Sequence, residues 1–192
     1  MLKKSYTWIL EKAGHPYAKW YLAGISFAES SVSPFPPDPL MVPMIIRDKS
    51  KAWSVAFNAT VSSALGGILG YAIGLFLFEK LGVPILNAYS LQDKFTTFQE
   101  TFHRWGFLAI MIKAFTPIPF KLVTITCGAV KFNFWLFLLA STLSRGLRFY
   151  ILAAALKRWG IRINTLMEEH IGLITLMFIG LLVGGFFLVK YI

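Results

Sequence analysis

The sequence has one cysteine, Cys127, so no intrachain disulfide can form. It lies in an apolar stretch, where a small buried hydrophobe is the expected role. Acidic residues are also scarce: nine Asp and Glu face nineteen Lys and Arg, for a formal net charge of +10. The histidines, His15, His103 and His170, are scattered without metal-ligand spacing, and interfacial placement is expected for each. No G-x-S-x-G, H-E-x-x-H or Walker-type loop is present, so an enzyme is not expected and no catalytic residue, cofactor or metal is assigned. Asp38, the one carboxylate that invites a catalytic reading, has no evident nucleophile or metal partner. A solvated basic face with interleaved polar residues is missing too, which argues against a nucleic-acid partner.

Apolar residues are what the chain has in excess. They make up 56% of it, and the mean hydropathy is +0.63, too high for an ordinary soluble domain. At 192 residues there is room for a single membrane domain, 1–192, and no separate catalytic domain. Lys and Arg lie beside apolar segments rather than in one run, which suits a surface of anionic lipid. Residues 1–19 do not read as a cleaved signal, because Glu11 and Lys12 interrupt the apolar core. Trp8, Ile9 and Tyr17 among lysines point instead to an amphipathic segment on the membrane surface.

Three stretches are long enough to cross a bilayer core, which needs roughly 20 residues. They are 52–78, 132–156 and 171–189, the second carrying Arg145 and Arg148. Two others, 17–46 and 105–130, are apolar arms around a proline-rich break and read as re-entrant hairpins whose unwound backbone must be buried or line a wet cavity. With that arrangement ten basic residues fall on one side and five on the other. The positive-inside rule then puts the N-terminus in the cytoplasm and the C-terminus outside. The expected fold is an all-α integral membrane protein, transporter-like with inverted repeats, two re-entrant hairpins and three transmembrane helices. Gly66, Gly70 and Gly74 recur every fourth residue in the first span and form a helix-packing stripe. Gly180, Gly184 and Gly185 offer the last span a similar surface, suited to a homo-oligomer.

The two breaks share one pattern with opposite charges. Glu29 and Asp38 flank Pro34, Pro36 and Pro37, whereas Lys113 and Lys121 flank Pro117 and Pro119. Paired interrupted segments in corresponding positions mark a transporter site near the midplane. Ser33, Asp38 and Thr116 each precede a proline and are expected to cap the helices that start there, leaving N-termini suited to an anion. Each charge at membrane depth costs about 2.5–3.5 kcal/mol on insertion scales, so it must pair, face water or titrate. Glu29 and Asp38 are candidate proton carriers. Lys113, Lys121, Arg145 and Arg148 are candidate phosphate ligands, the two arginines three residues apart on one helix face. The structural alternatives are salt bridges between the hairpins, or neutralisation of Glu29 and Asp38 by the arginines.

In this order the motifs resemble the DedA family, also called the VTT or SNARE-associated membrane-protein family, over roughly 17–160. The residues that carry the likeness are Glu29 with Pro34-Phe-Pro36-Pro37-Asp38, the glycine-rich Gly66 to Gly74, and Lys113-Ala-Phe-Thr-Pro117-Ile-Pro119-Phe-Lys121. Lysine at both basic positions, where arginine is common, resembles the YqaA-like branch. The resemblance implies a lipid transporter of flippase or scramblase type in a bacterial inner membrane. Its partners would be membrane lipids with anionic or zwitterionic headgroups, together with protons. A proton- or ion-coupled solute transporter and a non-transporting scaffold are the alternatives.

Overall fold

The computed structural model describes residues 15–33, 35–88, 91–112 and 119–160, and these are helical throughout apart from short turns. Helix α1 (Ala18–Ser31) is followed by α2 (Asp38–Arg47), a 3-10 turn (Lys49–Lys51), and the long α3 (Ala52–Leu77). A π turn (Phe78–Gly82) joins α3 to α4 (Val83–Ala88). Next come α5 (Gln92–Ile112), α6 (Phe120–Ala129) and α7 (Phe134–Gly160). The span expected at 171–189, the first fourteen residues of the amphipathic segment, and Gly180, Gly184 and Gly185 lie outside the described residues.

Two continuous helical stretches, Lys49–Ala88 and Phe134–Gly160, are long and apolar enough to cross a membrane. At about 1.5 Å of rise per residue, even the 26 residues of α3 alone exceed a hydrocarbon core of about 30 Å. Their outer faces are apolar: Phe57, Leu65, Leu69 and Phe76 on α3 and Trp135, Leu139, Leu143 and Ile151 on α7 are exposed. The π turn has a local cause. Pro84 donates no N–H and its ring crowds the carbonyl four residues back, so the turn before it widens, and the Val83 N–H bonds the Phe78 carbonyl.

The first broken stretch is helix, break, helix, with α1 and α2 flanking 32–37; in the second, α5 ends at Ile112 and α6 begins at Phe120, and 113–118 lie outside the described residues. The second differs from expectation at its start. α5 begins at Gln92, well before Trp105, and runs unbroken to Ile112. The capping expectation also needs correction. The residue capping α2 is Pro37, and Asp38 is the first helical residue and makes no side-chain capping bond. Its carboxylate is taken by an arginine of α7, a stronger partner than a backbone N–H. Ser33 accepts the Phe35 N–H (3.2 Å) and so shapes a turn rather than starting a helix, and Thr116 lies outside the described residues.

Glycines set how closely the helices approach. Gly66 and Gly74 of α3 place their backbone against the Phe27 carbonyl of α1 and the Ile125 carbonyl of α6, where no Cβ would fit. Gly70 faces the Thr124 side chain and the Ser30 carbonyl, and Gly128 returns the contact from α6 onto the Tyr71 carbonyl. Two apolar clusters result. One gathers Leu22, Met41, Ile45, Val55, Ala59, Phe149 and Leu156. The other gathers Ile110, Cys127, Val130, Phe132, Phe137 and Ala140. The buried polar residues Thr60, Ser62 and Ser63 of α3 and Ser141, Ser144 and Arg145 of α7 fall between residues of these two clusters.

The turn from α6 to α7 is tightly held. Lys131 adopts a positive φ of 53°, Asn133 accepts the N–H groups of Trp135 and Leu136 (both 3.0 Å) and so caps α7, and Tyr71 donates to the Phe132 carbonyl (2.7 Å).

Candidate functional site

The middle layer is built around Arg145. Its guanidinium donates to Glu29 (2.5 Å) and to the Ser63 hydroxyl (2.7 Å). It also stacks between the rings of Phe120 (5.0 Å) and Phe149 (4.5 Å). Arg145 is 3% exposed and the Glu29 side chain 12%, so the pair is removed from solvent. A guanidinium tolerates this better than an ammonium, because its faces are weakly hydrated and stack on aromatic rings while its edge donates in plane.

Neighbouring hydroxyls tie two more helices, α3 and α6, to this pair. Ser30 and Ser63 share a hydrogen bond of 2.6 Å, and Ser30 also reaches the Ser26 carbonyl at 3.0 Å. Thr124 of α6 donates to the Ser30 carbonyl (3.1 Å). Ser26, Ser141 and Ser144 are fully buried, with hydroxyls that bond no protein atom. On α7 the polar positions 141, 144, 145 and 148 fall on one stripe, as helical spacing requires.

One turn on, Arg148 donates to Asp38 (2.5 Å). This second pair is more open, with side chains 35% and 25% exposed, and the other Asp38 oxygen is buried without a partner. The carboxylates of the first break are therefore met by arginines of α7, and neither pairs with Lys121, the described lysine of the second break. Lys121 donates to the Val32 carbonyl (3.3 Å), so the two breaks touch through a cation and a neutral acceptor. Lys113, Pro34 and Pro117 lie outside the described residues. Of the remaining prolines, Pro36 and Pro37 lead into α2 and Pro119 into α6.

Several participants were not singled out in the sequence. They are Ser30, Ser63, Thr124 and Phe149, together with Phe120, which stood there only as part of the second motif. One signal existed: Ser63, Gly66, Gly70 and Gly74 lie along one side of α3, so Ser63 belongs to the stripe that other helices approach most closely.

An apolar-walled helical bundle with charge pairs buried at mid-span is an integral membrane protein. The chain belongs to the VTT-domain, or DedA, family, whose domain matches residues 35–158, a family linked to membrane transport or lipid handling. It is 32% identical over 151 residues to an uncharacterized protein of Haemophilus influenzae, covering 79% of this chain and 78% of the relative. An uncharacterized protein of Histophilus somni is 33% identical over 150 residues, 78% of each chain. An archaeal relative from Methanocaldococcus jannaschii, also uncharacterized, is 26% identical over 126 residues, 65% of this chain and 74% of its own. No solved structure matches the chain.

Proposed function

We propose that the protein carries the phosphate-bearing headgroup of a lipid, such as a phospholipid or polyprenyl phosphate, between membrane leaflets. The observation that carries this reading is the pair of carboxylate–guanidinium contacts at mid-span, Glu29–Arg145 enclosed and Asp38–Arg148 partly open. The four groups are neutral together. Protonation of either carboxylate would release a guanidinium whose planar donors suit a phosphate bidentately. The headgroup would enter at Arg148, the more exposed arginine, with Lys121 and Lys113 adding positive charge. Proton uptake would then be exchanged for headgroup binding at one set of arginines. In this reading the two broken stretches are re-entrant hairpins of an inverted repeat that rock against α3 and α7. The same reading takes the membrane to be the bacterial inner membrane with the N-terminus cytoplasmic.

The test is headgroup movement in vesicles holding the purified protein, using fluorescent phospholipid and polyprenyl-phosphate probes, with and without a pH gradient. Movement of either probe above protein-free vesicles, faster with the gradient, is expected. Probes that stay in their leaflets under both conditions contradict the proposal. A scaffold is the competing reading, because both arginines already hold carboxylates. Under it, exchanging the charges as Glu29→Arg with Arg145→Glu should preserve function.

A further inference from the structure

We propose that the cleft between the start of α1 and the end of α2 is a second anion site, taking the phosphate of a lipid headgroup at the membrane surface. It encloses about 500 Å³ and is lined by His15, Lys19, Arg47, Asp48 and Lys51, with Met44 and Val55 adding apolar wall. Cleft sites for small ligands begin at roughly 300 Å³, so a headgroup fits.

Three elements deliver cations to this one space: Lys19 from α1, Arg47 from α2, and Lys51 from the turn before α3. The lone carboxylate is already engaged. Asp48 binds Lys51 (2.7 Å) and accepts from the backbone N–H (3.1 Å) and hydroxyl (2.5 Å) of Ser50. Lys19 donates to the Ser54 hydroxyl (3.0 Å), a neutral partner that keeps its ammonium at the cleft. Among the described residues no carboxylate forms an ion pair with Lys19 or Arg47. Among the described residues the cleft therefore carries two positive charges in excess of its acid, matching a phosphate mono- or diester in sign and size of charge.

Its position points to a lipid rather than a metabolite. Gly160, at the end of α7, lies beside Ile46 and Lys49, so Lys157 and Arg158 belong to the same end of the bundle. There Trp53 stacks on Tyr150 (5.9 Å between centroids) with the Lys157 ammonium over its ring (5.2 Å), and Trp20 is exposed. Aromatic rings with basic side chains mark the headgroup level of a membrane protein. The site is separate from the mid-span pairs and does not rest on the transport reading, since equilibrium binding tests it without any movement of lipid.

The experiment titrates the full-length protein in detergent with short-chain phosphatidylglycerol or phosphatidylcholine and reads binding by native mass spectrometry. Preference for the anionic lipid is expected. Lys19→Gln and Arg47→Gln should each weaken it about fivefold, the scale for one basic side chain at a lipid surface. Lys157→Gln, at the same end but outside the cleft, should leave it unchanged. Inorganic phosphate in millimolar excess should not displace the lipid; displacement would assign the cleft to free phosphate and overturn the lipid assignment. Equal weakening by all three variants would reduce the effect to diffuse surface charge, and no preference in the unmodified protein would remove the site. Both results overturn the proposal.

Discussion

Taking away one half of the Glu29–Arg145 pair leaves the other charge buried without compensation. Breaking such a pair costs about 3–5 kcal/mol, so Glu29→Gln or Arg145→Gln alone should lower unfolding stability in detergent by that amount. The double substitution should recover most of it, because neither charge remains to be solvated. The Asp38–Arg148 pair is a quarter to a third exposed, and Asp38→Asn should cost only about 1 kcal/mol or less. A second titration bears on pH. Asp48 is held down from 3.8 to about 2, first by its Lys51 hydrogen bond and then by Ser50. A lowered carboxyl stabilises the fold above its unfolded value, and that contribution is lost as pH falls from 3.8 through 2. Asp48→Asn should therefore flatten the melting temperature only below about pH 4, and leave any pH dependence between 5 and 8 intact. A thermal melt series across pH checks both statements. The four mid-span charges were legible in the sequence as ionisable residues in apolar stretches, but their pairing was not. Glu29 and Arg145 stand 116 residues apart, and spacing within a helix says which residues share a face, not which neighbour that face meets.

Glycines govern the approach of whole helices, and they separate into costly and harmless positions. A Cβ at Gly66 or Gly74 would strike a backbone carbonyl of α1 or α6, and at Gly70 it would meet the Oγ1 and the backbone-fixed Cβ of Thr124 and the Ser30 carbonyl. Gly66→Ala, Gly70→Ala and Gly74→Ala should each cost about 1–3 kcal/mol by forcing the helices apart. Gly24, on the exposed side of α1, has open space around it. There alanine should be neutral or stabilising by up to about 1 kcal/mol, since it favours helix more than glycine does. Denaturant unfolding of the four variants tests this ordering. The four-residue glycine period was readable because it follows from helical geometry alone. The start of α2 was misread for an equally physical reason: Asp38 is a good capping residue in isolation, and an arginine brought from 110 residues away outbids the local bond. The early start of α5 was missed because its first half is polar, so hydropathy did not distinguish it from a loop.

At the scale of the molecule, mid-span charge and apolar exterior impose opposite demands. Lipid-facing helices favour an uncharged interior, yet α1, α2 and α7 bring two acids and two arginines together between two apolar clusters, one pair buried and the other partly open. Replacing such pairs by neutral groups is often stabilising, so their presence is most simply understood through the exchange proposed for them. Composition and hydropathy made the membrane class legible, because they depend on no pairing between distant residues. The convergence of helices at mid-span depends entirely on such pairings. The most direct measurement compares headgroup movement in vesicles between unmodified protein and the Glu29→Gln/Arg145→Gln double variant, at matched reconstitution and after both have been shown folded. The account predicts a folded double variant that no longer moves phosphate-bearing headgroups. A folded double variant that moves them at the unmodified rate would contradict it, and would leave the Glu29–Arg145 pair with a purely structural role.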